Sequence, residues 1–331
     1  MSRPVRGRAL LSDAVVRTEG RRRLVGTLLR ILAVAAAYYV SGWVGLTQRV
    51  VIDGAAVTPL WLPTGIALAC LLWMGPWVWP GITLGAYLVI EGLAGIDPAD
   101  IAILAGNTLG PVCAYAMLRR AGFRLEMDRL RDGMALVFLG GLLPMLLSAT
   151  VGTWTLVLTG DLPLERFWPV WAAWWAGDAM GVLVVTPVLL VLRRARMPED
   201  TYRMAEAAAL AVTAVVVTLV ATRSTLSLLF LVFPLLIWAA VRFQLAGSAP
   251  CALFVSVLAI GAATDRAGPF ARHTLFEIMV NLQAFNGCAA LTGLLLAALV
   301  TEQNNIRLRI EQACEDLAEV VARLTPGAPR D

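Results

Sequence analysis

Ten runs of apolar residues, separated by short polar segments, make up most of the chain: 24–47, 59–74, 77–94, 99–118, 133–158, 168–192, 204–221, 226–243, 245–263 and 275–300. Several exceed the roughly eighteen apolar residues a helix needs to cross a bilayer at about 1.5 Å per residue. The strict alternation of a β-barrel is not visible, and an open sheet edge cannot sit in hydrocarbon, so the runs read as helices. The pattern predicts an all-α, polytopic transmembrane bundle of about ten spans. An eight-span version, with 77–94 and another short run re-entrant, is the alternative. The first run is too long for a signal-peptide core and reads as an uncleaved helix.

The pattern changes after residue 303. Ile306, Ile310, Ala313, Leu317, Val320 and Leu324 follow at spacings of 4, 3, 4, 3 and 4, a heptad seam continuous with the last apolar run. Charged residues such as Glu302, Arg307, Glu311 and Glu315 flank it. The seam predicts a coiled-coil signalling helix over 304–325 and a parallel homodimer. Three heptads are marginal alone, but tethering in a membrane raises their effective concentration. Pro326-Gly327 opens a disordered end over 326–331, and an Arg-rich arm over 1–23 precedes the membrane-embedded domain, 24–303.

With 59% hydrophobic and 15% charged residues, the chain is too apolar for a water-soluble globule. A formal charge of +4 hints at nucleic acid until the basic residues are located. All 27 are arginines, and they gather in the N-terminal arm, the 119–131 loop, the 193–203 loop and the tail. Arg49, Arg166, Arg223, Arg266 and Arg272 fall on the opposite side. This positive-inside asymmetry predicts both termini cytoplasmic, the lipid bilayer as the surrounding partner and no nucleic-acid partner. Any even number of spans satisfies it. Five scattered cysteines with no CxxC, and one histidine, support neither a metal site nor a disulfide framework. HExxH, GxSxG and P-loop motifs are absent, so neither an enzyme nor a cofactor is expected.

Asp178 carries the candidate chemistry. It falls near the middle of the 168–192 run, where a carboxylate costs roughly 2.5 to 3.5 kcal/mol on insertion scales and must face protein, water or a partner charge. Trp171, Trp174 and Trp175 share its helical face, making an aromatic wall that ends in an acid, a candidate sensing site. The competing reading has the tryptophans packing, Asp178 accepting a neighbour's hydrogen bond, and Gly177 and Gly181 making a close helix crossing. Asn107, between Gly106 and Gly110, suits a helix crossing with an interhelical amide bond, with a ligand contact as the competing reading. Arg242 at a span end suits snorkelling. Glu277 and Asn281 make the outer half of the last run polar, and that half could line a pocket with Asp178. Trp61 and Pro63 suit a kinked, interfacially anchored helix entrance.

In order along the chain come Ser41-Gly-Trp-Val-Gly-Leu46, Trp61-Leu-Pro-Thr-Gly-Ile-Ala67, Trp79-Pro-Gly-Ile-Thr-Leu-Gly85, Gly106-Asn-Thr108, Trp174-Trp-Ala-Gly-Asp-Ala-Met-Gly-Val182, Thr186-Pro187, Phe233-Pro234, Arg242-Phe243 and Gly268-Pro-Phe270. Together they resemble the membrane-associated sensor domains of the first class, the MASE family, over about 27–303. The motif positions include Trp61, Pro63, Gly65, Gly106, Gly177, Gly181, Pro187 and Arg242. The resemblance implies a bacterial inner-membrane input module, usually joined to a diguanylate cyclase, a cyclic-di-GMP phosphodiesterase or a histidine kinase. No GGDEF or EAL run and no kinase ATP site follows here. The expectation is therefore a stand-alone, non-enzymatic sensor coupled to a separate output partner. A secondary transporter or channel for a small solute is the alternative, motivated by Asp178, Asn107 and the polar last run; no internal repeat supports it.

Overall fold

The computed structural model describes residues 5–47, 50–52, 55–95, 97–193, 200–224, 226 and 228–324. The disordered end expected over 326–331, Arg49, Arg194 and Arg196, and the start of the N-terminal arm lie outside the described residues. So do the side chain of Leu324 and most side chains of the arm.

The chain runs through α1 (Val5–Leu46), α2 (Leu62–Met74), α3 (Trp79–Ala94), α4 (Asp100–Arg120), α5 (Leu130–Ala135), α6 (Leu143–Thr159), α7 (Phe167–Met180), α8 (Thr186–Leu192), α9 (Thr201–Arg223), α10 (Val232–Thr264) and α11 (Leu275–Leu324). A small antiparallel hairpin of β1 (Val50–Ile52) and β2 (Ala55–Val57) interrupts the helices, with Val50 opposite Val57. The sequence reading had placed no strand there.

Each of the ten apolar runs contains helix, but they do not make ten helices of span length. Among the described residues, seven helical stretches are long and apolar enough to cross a membrane. α2, with 13 residues, and α3, with 16, reach only about 20 and 24 Å. Glycines with positive φ, Gly75 at 89° and Gly95 at 83°, end them.

The runs 226–243 and 245–263 count as one stretch, α10, broken at Gln244, whose φ of 49° and ψ of −137° are not helical. The break reverses the chain. Arg242 sits against Glu206 at the start of α9, and Asp265 lies 3.8 Å from Arg223 at its end. A Cβ on Gly247 would come within 3.0 Å of the Ala239 carbonyl oxygen, whereas two turns of straight helix would separate these residues by about 12 Å.

Two π-helical segments, Leu136–Leu142 and Gly181–Val185, interrupt α5–α6 and α7–α8. Each is followed within two residues by a proline, Pro144 or Pro187. Proline lacks the N–H and crowds the carbonyl one turn back, so the turn before it opens. The α7–α8 stretch is the centre of the bundle: its most apolar window is 67% buried, against 22% for those of α1 and α9. Leu68, Leu118, Leu136, Met145, Val182, Leu236, Val255 and Leu282 form the core around it. Exposed tryptophans mark two levels: Trp77 before α3 and Trp79 at its start, and Trp43, Trp154 and Trp168 at the opposite helix ends. Amphipathic rings gather at such levels on either side of a bilayer.

Candidate functional site

α7 brings its aromatic and acidic side chains against α6 and the head of α2. The Trp171 and Trp175 rings stack at 5.9 Å with planes 16° apart. The Trp171 indole N–H donates to Thr150 Oγ1 at 3.0 Å, and that of Trp175 donates to the Leu142 carbonyl at 2.8 Å, at the end of the first π segment. Trp174 lies flat over Gly152, where any Cβ would strike its ring. The aromatic wall is therefore held at its polar tips, as buried indoles require.

Asp178 is 2% exposed. Its Oδ1 accepts a hydrogen bond from Thr64 Oγ1 at 2.7 Å, while its Oδ2, fully enclosed, has no hydrogen-bond partner. Ser148 and Trp174 flank the carboxyl group, and the buried Tyr38 hydroxyl lies within reach of its field. Ser148 Oγ itself donates to Asn107 Oδ1 at 3.2 Å, so α4 joins the site through the amide. Gly106 and Gly110 pack on α6 at Val151, Ser148 and Met145.

The meeting of α2 and α7 is a backbone clamp. The Trp61 N–H donates to the Gly177 carbonyl at 3.0 Å, and Thr186 Oγ1 donates to the Gly65 carbonyl at 3.0 Å. A Cβ on Gly65 would collide with the Gly181 carbonyl oxygen, and a Cβ on Gly181 with that of Trp61. Only glycine permits this approach. Pro63, in the first turn of α2, fixes the entry that aims Thr64 at Asp178.

The remaining candidates fall elsewhere. Arg242 makes two bonds of 2.6 Å to Glu206, which also accepts from the Trp238 indole at 3.2 Å, beside the Gln244 reversal. Glu277 is 54% exposed and forms a capping box with Thr274 at the start of α11, each accepting the other's backbone N–H at 3.3 and 2.8 Å. Asn281 is exposed. Polar groups of α11 that do turn inward include Gln283, donating to the Pro59 carbonyl at 2.9 Å, Asn286, 1% exposed with neither amide atom hydrogen-bonded, and Glu302, accepting the Leu130 N–H at 2.9 Å.

Thr64, Ser148, Thr150 and Thr186 were not singled out from the sequence. The signal available for Thr64 and Thr186 was their place in the recurring pieces Pro63-Thr64-Gly65 and Thr186-Pro187. No group of three metal-ligating side chains occurs among the described residues. In the tail, α11 continues without a break from the bundle to Leu324, with Ile306, Ile310, Leu317 and Val320 between 49% and 64% exposed.

The site offers a buried carboxylate with one oxygen satisfied and one not, held among α2, α6 and α7, of which α6 and α7 adjoin a π segment. Such a group gains from a proton or from any donor that reaches Oδ2. The family model MASE1 matches residues 30–304, from α1 to just short of Ile306. Comparison with curated proteins and with solved structures returns no match.

Proposed function

We propose, from the premise that this chain belongs to the MASE1 family, that it couples a stimulus in the membrane to a separate cytoplasmic output partner of the cyclic-di-GMP or two-component type. The family supplies the coarse statement, a multi-pass membrane sensor domain built from an apolar helix bundle. The observation that carries the finer reading is the continuity of α11. This 50-residue helix touches the α2–α7 clamp through Gln283 and approaches α7 at Met180 through Gly287, then presents an apolar stripe outside the bundle.

In this reading the stimulus acts on the Asp178 region, and α11 transmits the change to a dimeric seam at Ile306, Ile310, Ala313, Leu317, Val320 and Leu324. A stimulus can shift the bundle only by the difference in its affinity for two bundle states. Both termini lie on the cytoplasmic side of a bacterial inner membrane. The reversal at Gln244 supports counting α10 as two crossings, and α2 and α3 complete ten if the membrane path at their ends includes the flanking turns.

The test is a pull-down of the detergent-solubilised full chain beside a version lacking residues 301–331, with co-purifying proteins identified. A cyclase, phosphodiesterase or kinase recovered only with the tail supports the reading. Equal recovery without the tail, or none with either, removes the tail from signalling.

A further inference from the structure

A cavity lies away from Asp178, at the Arg-rich end of the bundle. It has a volume of about 760 Å³ and sits between α8, α9 and the second half of α10, with Leu190, Leu210, Val215, Phe243, Cys251 and Phe254 among its walls. That volume is in the range of about 300 to 1,000 Å³ typical of built ligand sites. The cavity opens sideways, since Val215 and Phe254 on its two edges are 39% and 36% exposed. Those edges belong to faces of α9 and α10 that also expose Val212, Val216 and Val257, so the opening looks into the bilayer.

Its floor exists because the chain reverses at Gln244, which holds Leu245–Gly247 back against Phe243 and leaves a gap where a straight helix would have packed on α9. An apolar gap of this size beside lipid is filled by whatever apolar chain is nearest, because close packing recovers dispersion that a void forfeits.

Charge selects the rest of the occupant. Arg193 directly follows Leu192 in the wall, and Arg203 precedes Ala207 in the wall by one helical turn; both arginines are exposed. Glu206, the nearest acid on α9, is already matched by Arg242 through two bonds of 2.6 Å. The one acidic residue at the cavity itself, Glu126, is exposed and engaged in an interaction of its own. Asp200, exposed before Arg203, is bonded to the Tyr202 N–H as the cap of α9, and Arg193 lies with its guanidinium carbon 5.8 Å over the Trp73 ring, so what the mouth presents is two guanidinium groups at the level where lipid phosphates lie.

We propose that this groove is a binding site for one acidic phospholipid of the leaflet at the Arg-rich end, with an acyl chain between α9 and α10 and the phosphate at Arg193 and Arg203. The bound chain props the α10 reversal against α9, so the site links the lipid composition of that leaflet to the packing of the bundle.

The test uses the full chain in nanodiscs containing a phosphatidylglycerol with a diazirine midway along one acyl chain, and a phosphatidylcholine carrying the same group. Label from the phosphatidylglycerol is expected to concentrate on 207–215 and 246–254 and to fall about fivefold for each arginine removed in Arg193→Gln and Arg203→Gln, the factor expected of a basic side chain near an anionic surface. Ala211→Trp, which fills the groove from an exposed wall position, removes that label while the lipid-facing side of α1 keeps its own. Label spread evenly over α1, α9 and α10 overturns the proposal. So does groove labelling equal from both lipids and indifferent to the arginines. Intact α1 labelling in each variant guards against misfolding as the explanation.

Discussion

Asp178 is 2% exposed, and Leu317 is 64% exposed. The first is a carboxylate enclosed among apolar helices, the second an aliphatic side chain turned to solvent on a helix that leaves the bundle. The surroundings differ as much as the exposures. Around Asp178 the backbone itself is locked, with Gly65 and Gly181 against neighbouring carbonyls and two indoles tied to Thr150 and Leu142. Leu317 stands on the part of α11 beyond the bundle, where an i,i+4 pair, Arg307 with Glu311 at 2.8 Å, braces the helix on the side toward the membrane. One region is rigid with an unmet polar demand, and the other is free-standing with an unmet apolar demand. In the reading proposed above, a stimulus answers the first demand and a partner the second, and α11 runs from one region to the other.

The comparison is tested most severely at the clamp. Gly181→Leu should leave little folded protein, since the side chain would have to displace the Trp61 carbonyl; a loss above about 4 kcal/mol is expected, of the kind reserved for buried overpacking. Size-exclusion chromatography and thermal melting in detergent would show it, and a normal melting curve would mean that the crossing is looser than its geometry.

Next comes the carboxylate. Asp178→Ala strips the acceptor from Thr64, itself 4% exposed, and should cost about 1 to 3 kcal/mol, whereas Asp178→Asn keeps an acceptor oxygen and should cost less. If Ala instead raises stability, Asp178 is a destabilising group kept for use, which sharpens the contrast further. Trp175→Phe removes one bond to the Leu142 carbonyl and should cost about 1 kcal/mol by the same melts. The smallest effect on the bundle belongs to the tail. Leu317→Asp should change the melting of the membrane part by no more than about 0.5 kcal/mol while converting dimer to monomer in light scattering.

The rigid half is partly legible in the sequence. The insertion cost of Asp178 and the spacing of Trp171, Trp174 and Trp175 pointed to α7, which proves to be the most buried segment of the bundle. Its partner was not legible, because Thr64 is 114 residues away in sequence and nothing in spacing pairs two helices. The π segments left only a faint trace, Pro144 and Pro187 inside apolar runs. Two local signals were present and were outweighed by the membrane pattern. Asp53-Gly54 between short apolar triplets is a hairpin signal in the sequence, and Thr274 with Glu277 three residues on is that of a capping box. Periodicity alone put Glu277 on a face with Asn281; the cap explains why it stays outside. The reversal at Gln244 was legible as a boundary between two runs but not as a one-residue turn.

Cys314, exposed and beside the seam, allows a direct reading of the link between the two regions. With Cys288 replaced by Ser and a spin label on Cys314, the full chain in nanodiscs should give a narrow distance between two copies by pulsed electron resonance. Asp178→Asn should shift or broaden it. A distance distribution indifferent to Asp178→Asn, or no distance between copies at all, would contradict transmission through α11.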